Sequence, residues 1–125
     1  AEPGFPSRSM TLVVPYSAGS VADVGSRLVS ERMAEILKQQ IVIENRPGAN
    51  GIIAGEACAR ASADGYTLCM VDRSFMVLPL TVAKLPFDVN RDFAPVTQIA
   101  VSDGYVVVVH PAVRTATINE LIISI

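Results

Sequence analysis

The stretch from residue 11 to residue 23 constrains the fold more than any other part of the chain. Residues 11–14 are β-branched or apolar and uncharged, which is typical of a strand covered on both faces. Pro15 has no amide hydrogen to donate, so the strand is expected to end there. Small residues fill positions 17–20, and a helical pattern follows. The stretch therefore predicts a buried strand, a tight turn and the start of a helix.

The same alternation of strand and helix continues along the chain. We predict strands at residues 10–14, 41–44 and 67–71, with helices at about 21–38 and 52–61 between them. This order favours the α/β class, with a mostly parallel sheet flanked by helices and right-handed crossovers. Further predicted elements are a short helix at 74–80, strands at 94–101 and 105–110, and a final helix opened by the capping box at 117–120.

The first helix has a predicted N-cap and a predicted solvated face. Ser20 is the candidate N-cap, with Asp23 three residues later. Apolar residues recur at helical spacing, namely Val21, Val24, Leu28, Met33, Ile36 and Leu37. The charged side chains lie mostly off this stripe, so we expect one face of the helix to contact solvent.

Composition and charge exclude several functions. The 125 residues suffice for one domain or one lobe of a larger protein. Half are hydrophobic, yet no apolar run approaches the roughly 18 residues that cross a membrane. A net charge of −2, with scattered Lys and Arg, argues against a nucleic-acid partner. Residues 1–4 fit a mature end left by signal cleavage, and the last helix reaches Ile125 with its apolar pattern still running, so we expect a truncated chain.

The turn after the first strand is the predicted binding element. A helix N-terminus at the carboxyl end of a parallel strand presents free amide groups and partial positive charge, which favour an anion. Asp23 either holds the binding turn in shape, contacts a polar ligand group, or caps the helix. Arg73 either pairs with a ligand carboxylate or is an internal or solvated residue. The predicted ligand-binding residues are Tyr16, Ser17, Ala18, Gly19, Ser20, Val21, Asp23, Arg73 and Ser74.

Other chemistry finds little support in the sequence. Cys58 and Cys69 are either two buried thiols or, in an oxidising compartment, a helix-to-strand disulfide. With no histidine near them, a zinc site is not expected. His110 is the single histidine, and neither a Gly-x-Ser-x-Gly elbow nor a dinucleotide or phosphate-loop motif is present. No metal and no cofactor is therefore predicted.

Several short motifs are spread over almost the whole chain. They are FPSR (5–8), LVVPY (12–16) with Ala18, Gly19 and Asp23, VIENRPGA (42–49) with Gly51, ADGYTL (63–68), KLPFD (84–88), RDFAPV (91–96), VVHP (108–111) and TINEL (117–121). In this order they resemble the N-terminal part of the periplasmic receptors of tripartite tricarboxylate transporters, the TctC or Bug family.

The resemblance implies the first lobe of a two-lobed, periplasmic-binding-protein-like (type II) receptor. In that family a small organic acid typically lies in the cleft between the lobes, and its carboxylate is held by backbone amides and small side chains of the first strand–helix turn, partly through water. Carried over, that turn is residues 17–21. Two departures are expected to reshape the cleft. Ser20 and Val21 replace a glycine and a hydroxyl residue, and Asp72, Arg73 and Phe75 replace smaller residues.

We therefore expect a receptor lobe that is periplasmic after signal cleavage, catalyses no reaction and works with membrane transporter subunits. Alone, it is expected to bind carboxylates weakly and to self-associate through exposed apolar surface. Two other classes remain open. One is a small α/β hydrolase that uses Ser17 or Ser20 with His110, and the other is a ligand-independent interaction or sensor module.

Overall fold

A three-stranded parallel sheet lies at the centre of the computed structural model, which describes residues 4–101, 107–113 and 117–124. Its strands are β1 (Met10–Val14), β2 (Ile41–Asn45) and β3 (Thr67–Cys69), in the order β2-β1-β3. In the register of the sheet, Leu12 lies opposite Ile43 on one side and Leu68 on the other. The predicted parallel sheet is confirmed, and β1 is almost entirely apolar because it is the middle strand.

Two helices cover the sheet. α1 (Val21–Leu37) connects β1 to β2, and α2 (Ile52–Ala59) connects β2 to β3 after a single 3-10 turn at Ala49–Gly51. The two connections run in opposite directions across the sheet. Because crossovers between parallel strands are right-handed, α1 and α2 lie on opposite faces.

Two shorter helices follow the sheet, α3 (Arg73–Thr81) and α4 (Ile118–Ser124). α3 confirms the helix predicted after the third strand. Before α4, the Thr117 hydroxyl accepts a hydrogen bond from the amide of Glu120 at 3.2 Å, as the capping motif predicts. In the described part of the chain, no helix has the length and apolar character required to cross a bilayer.

The predicted strand at residues 94–101 is wrong, and so is the described part, 107–110, of the strand predicted at 105–110. Residues 102–106 lie outside the described residues. A strand needs a neighbour that accepts and donates its main-chain hydrogen bonds, and neither segment pairs with the outer edge of β2 or of β3 in the described sheet. The apolar side chains on which the prediction rested are exposed, with Val96 81% and Val101 72% accessible.

Helix α1 packs on the sheet through small and polar residues. Its buried side chains are Asp23, Ser26 and Ser30. The apolar stripe lies largely in solvent, with Val21 93% and Leu28 64% exposed. The predicted solvated face of α1 therefore includes most of the apolar stripe as well as the charged residues. The helix packs on the sheet through its small side chains instead, which allow a close approach.

A cluster of aromatic residues packs α3 and the following loop against α2. The Phe75 and Phe87 rings are stacked with centroids 5.4 Å apart, and Phe93 meets Phe75 edge-on at 5.2 Å. Leu78 and Val89 complete the buried part of this cluster. Phe75, which the family resemblance placed at the predicted cleft, is 5% exposed and belongs to this core, and it also contributes to the lining of the cavity described below.

The N-terminal segment is fixed to the sheet by Tyr66, the residue before β3. Phe5 packs edge-on against the Tyr66 ring at 5.0 Å. The amide of Ser7 donates to the Tyr66 hydroxyl at 2.9 Å, and the Arg8 guanidinium lies 3.9 Å from the ring centroid. Arg8 also pairs with Asp64 at 3.0 Å. Two of the sequence motifs, FPSR and ADGYTL, thus pack against each other.

Glycine at position 55 of α2 is required by the aromatic cluster. A Cβ there would lie 2.7 Å from both Phe75 and Phe87. We expect Gly55→Ala to lower the free energy of unfolding by about 1–3 kcal/mol, since both rings are buried and cannot withdraw freely. Gly25→Ala in α1 is the matched control, because a Cβ added at Gly25 meets no neighbouring atom within 4 Å, and it should stabilise by about 0.5–1 kcal/mol. Urea unfolding of both variants measures this, and equal effects would contradict the packing argument.

The exposed apolar side chains of α1 predict self-association. Val21, Val24 and Leu28 lie at helical spacing and are 93%, 49% and 64% exposed. Sedimentation velocity should show concentration-dependent association that the double variant Val24→Glu/Leu28→Glu reduces. Leu80→Glu, on the 86% exposed Leu80 of α3, is the control. A monomer at every concentration, or equal effects of the α1 and α3 variants, would show that this face is not a contact.

Candidate functional site

A cavity of about 330 Å³ lies at the carboxyl edge of the sheet. Residues 15–17 after β1, 47–51 before α2, 69–72 at the end of β3, and 74–75 in α3 contribute to its lining. The strand order β2-β1-β3 sends the chain from β1 first to one side and then back to the other. The gap between β1 and β3 is therefore a topological switch point, where open α/β sheets bind their ligands.

The turn from residue 17 to residue 20, predicted as the binding element, is partly closed by the protein itself. The amide of Gly19 donates to Asp23 Oδ2 at 2.8 Å. The amide of Ser20 donates to the carbonyl of Ser17 at 3.2 Å. The Ser20 hydroxyl accepts from the amide of Asp23 at 3.2 Å, which confirms Ser20 as the N-cap of α1. The Gly19 and Ser20 amides are thus already used within the chain.

Asp23 is a buried ion-pairing residue below this turn, 1% exposed. Besides the Gly19 amide, its carboxylate accepts from Arg27 Nε at 2.9 Å and from Asn45 Nδ2 at 2.8 Å. Asn45 Nδ2 also donates to the carbonyl of Tyr16 at 2.9 Å. The hydrogen bond from Arg27, with those from Gly19 and Asn45, holds the pKa of Asp23 well below its usual range. This network joins the ends of β1 and β2 to the first turn of α1.

The structure separates the predicted ligand-binding residues into four groups. Tyr16, Ser17 and Ser74 line the cavity. Arg73 is the exposed first residue of α3, and Asp23 lies in the buried network. The residues that follow Ser17 in the turn lie outside the cavity lining, namely Ala18, Gly19, Ser20 and Val21.

The loop before α2 contributes a wall that the sequence indicated only as a turn-rich segment. Gly48, Ala49, Asn50 and Gly51 all have positive φ, at 115°, 47°, 51° and 86°, a conformation that is costly for residues with a side chain. The Pro-Gly-x-x-Gly spacing at 47–51 was the sequence feature that could have indicated this wall. Gly51 is the N-cap of α2 and has no side chain to cap it, so the first turn of α2 begins beside the cavity with main-chain donors only.

Asp72 places a carboxylate in the cavity wall. Its Oδ1 accepts from the Ser74 amide at 2.9 Å, the Phe75 amide at 3.3 Å and the Ser74 hydroxyl, and its Oδ2 accepts from the Tyr16 hydroxyl. Partial burial opposes ionisation, but these hydrogen bonds outweigh it, and the pKa of Asp72 is lowered. The Tyr16 hydroxyl that donates to this carboxylate has a raised pKa. The sequence marked Asp72 as a departure from the pattern of the resembling family, but it did not identify Asp72 as the N-cap of α3.

Elements of other chemistries do not assemble here. His110 Nδ1 accepts from the amide of Ala112 at 3.2 Å, and among the described hydrogen bonds none joins His110 to Ser17 or Ser20. In the described ranges, no group of three or more His, Cys, Asp and Glu side chains is placed to hold a metal ion. Arg46 pairs with Glu44 at 2.6 Å, in agreement with the structural role that its turn position suggests.

Comparison with known proteins gives consistent matches. The family model "Tripartite tricarboxylate transporter family receptor" matches residues 26–125. A UPF0065 protein of Bordetella bronchiseptica is 46% identical over 96 residues, which cover 76% of this chain and 29% of that protein. The chain spans about a third of the length of the curated relatives that it matches.

Two solved structures share both fold and sequence. MatC from Rhodopseudomonas palustris, described with bound malate, superposes with a TM-score of 0.68 at 37% identity, covering 73% of this chain and 31% of MatC. A structure described as a periplasmic transporter has a TM-score of 0.64 at 41% identity, covering 67% of this chain and 29% of its own. The α/β fold predicted from the sequence is that of these two proteins.

The Asp23 network predicts an acid-sensitive component of stability. Because the pKa of Asp23 is lowered in the folded chain, its contribution is present above the unfolded pKa of about 3.9 and is lost as pH falls towards the folded value. Asp23→Asn should therefore lower the midpoint of urea unfolding at pH 7. The difference in midpoint between this variant and the parent protein should become smaller below about pH 4.

The control for this prediction is Asp64→Asn, which removes an exposed pair with Arg8. We expect that variant to change the free energy of unfolding at pH 7 by no more than about 0.5 kcal/mol. The assigned role of the network would be contradicted if Asp23→Asn changed the free energy of unfolding as little as the control does, or by the same amount at every pH.

Proposed function

Because this chain belongs to the tripartite tricarboxylate transporter receptor family, we propose that it forms one lobe of a solute-binding receptor for a small carboxylate. Receptors of this kind bind and release a solute without making or breaking a bond. The proposed receptor is periplasmic, closes two lobes around its ligand by a hinge motion, and presents the ligand to membrane transporter subunits.

The observation that carries this proposal is the cavity at the switch point between β1 and β3. Its position is where a sheet of this topology binds ligands, and small residues and hydroxyl groups make up much of its wall. The similar structure of MatC holds malate, a dicarboxylate of a size that suits a cavity of about 330 Å³. We infer a ligand of that class for the complete receptor.

Main-chain dipoles and hydroxyl groups are proposed to hold the ligand carboxylate. Ser17 lines the cavity directly. At the start of α2 the amides of Gly51 and Ile52 already donate to the carbonyls of Gly48 and Ala49, so the proposed donors beside Ser17 are the amides of Ile53 and Ala54. Such fixed dipoles attract an anion without a buried counter-charge, whose desolvation would be costly. Tyr16 and Ser74 are proposed as further contacts in the wall. Ala18, Val21 and Arg73, which lie outside the lining, are proposed as further contacts in the complete receptor. Gly19 and Ser20, whose amides are used within the chain, are proposed with Asp23 as the support of the turn.

The lobe by itself should bind carboxylates only weakly, since the second lobe would supply the remaining contacts. In an NMR titration with malate and with a tricarboxylate, we expect dissociation constants above about 1 mM. The shifts should concentrate on Ser17, Ser74 and residues 48–52. Micromolar binding by this chain would contradict the one-lobe proposal, and shifts spread evenly over the surface would contradict the assigned cavity.

Substitution of Asp72 gives a more specific test of the ligand position in the same titration. Its ionised carboxylate lies in the cavity wall and repels an anionic ligand. Asn caps a helix as well as Asp does, so Asp72→Asn should keep α3 and tighten malate binding by about threefold to tenfold. Asp64→Asn, which removes one negative charge outside the cavity lining, should leave binding unchanged. Equal effects of the two variants would place the ligand elsewhere.

A further inference from the structure

Cys58 and Cys69 lie at the interface between α2 and β3. Cys58 follows Ala54 by one helical turn, and Ala54 is completely buried. Residues four apart lie on the same side of a helix, so Cys58 is on the side of α2 that packs on the sheet. α2 contacts β3 more extensively than it contacts β1.

The alternation of side chains along β3 directs Cys69 towards α2. The next residue, Met70, continues the pairing with β1 through its amide, 2.9 Å from the carbonyl of Val13. Its sulfur receives the Ser26 hydroxyl of α1 at 3.1 Å, on the opposite face of the sheet. Because successive side chains of a strand point to opposite faces, Cys69 points to the face that α2 covers.

The two thiols meet at this interface. Both are free and half-buried, and each shifts the pKa of the other. Cys69 lines the cavity, whereas Cys58 lies outside its lining, so a small solute meets Cys69 first. Interaction with Cys58 lowers the pKa of Cys69, and the same interaction, together with burial, raises the pKa of Cys58. Because it is the thiol reached from the cavity, Cys69 is the one that attacks.

We propose that Cys58 and Cys69 form a dithiol site that closes to a disulfide between α2 and β3 when a disulfide oxidant enters the cavity. The Cys69 thiolate attacks one sulfur of the oxidant and expels the first thiolate. Cys58 then gives up its proton and attacks Cys69 Sγ, which forms the Cys58–Cys69 bond and expels the second thiolate. Two protein thiols are oxidised by two electrons, and one disulfide is reduced to two thiols.

This site is independent of the proposed ligand. It needs only an oxidising compartment, and the similar solved structures include one described as a periplasmic transporter. The bond would join the helix that begins at the cavity wall to the strand that ends there, so oxidation is expected to raise resistance to urea.

The test equilibrates the folded chain with mixtures of reduced and oxidised glutathione, quenches with acid, and counts free thiols by maleimide labelling and intact mass. We expect a monomeric product that has lost two hydrogens and takes no maleimide. The same chain unfolded in urea is the control, and its equilibrium constant for closure should be about tenfold or more lower, because only the folded chain holds the thiols together. Two labelled thiols at every ratio, a glutathione adduct as the end point, or equal constants in the two states would overturn the proposal.

Two variants test the order of attack. Cys58→Ser should stop at the mixed disulfide of Cys69 with glutathione. Cys69→Ser should form its adduct at Cys58 about tenfold more slowly, since Cys58 lies outside the cavity lining and its burial still raises its pKa. Circular dichroism checks that both variants fold. Equal rates would show that Cys69 is not the attacking thiol, and the measurement on the parent chain decides the disulfide itself.

Discussion

The buried carboxylate of Asp23 connects the ends of β1 and β2 to the start of α1. A buried charge is costly unless it is paired and hydrogen-bonded, and here Arg27, the Gly19 amide and Asn45 together meet that need. Asn45 in turn holds the carbonyl of Tyr16. The end of the middle strand, the end of its neighbour and the beginning of α1 are thereby fixed relative to one another, and the shape of the cavity edge follows from this.

The same network decides where an external anion is favoured. At two of the three helix N-termini near the sheet edge, a carboxylate of the protein accepts hydrogen bonds from main-chain amides. Asp23 does so at α1 and Asp72 at α3. α2 begins instead at Gly51, with no side chain at its cap. On the proposal that the cavity takes a carboxylate, we expect the ligand to be attracted most at the α2 side of the cavity and repelled near Asp72. We therefore propose that the charge of Asp72 helps to select the solute.

Local patterns in the sequence correctly predicted the middle strand of the sheet and the helix caps. The strand bounds of β1, the N-cap Ser20 and the capping residue Thr117 are confirmed, because each depends on a few adjacent residues. The strand predicted at 94–101 failed for the opposite reason. Its apolar residues match a strand pattern, but a strand exists only beside a partner, and a sequence pattern does not state whether the segment will lie against an edge of the sheet.

The sequence by itself determined the class of fold, the family and the position of the first strand–helix turn, since these follow from hydrophobic periodicity, turn residues and the order of short motifs. Only the tertiary structure decided which amides of that turn are used internally, that Asp72 lies in the cavity, and that Cys58 meets Cys69. Each of these facts depends on how residues from different elements come together. Their distances are set by how the helices pack on the sheet, and no spacing along the chain encodes them.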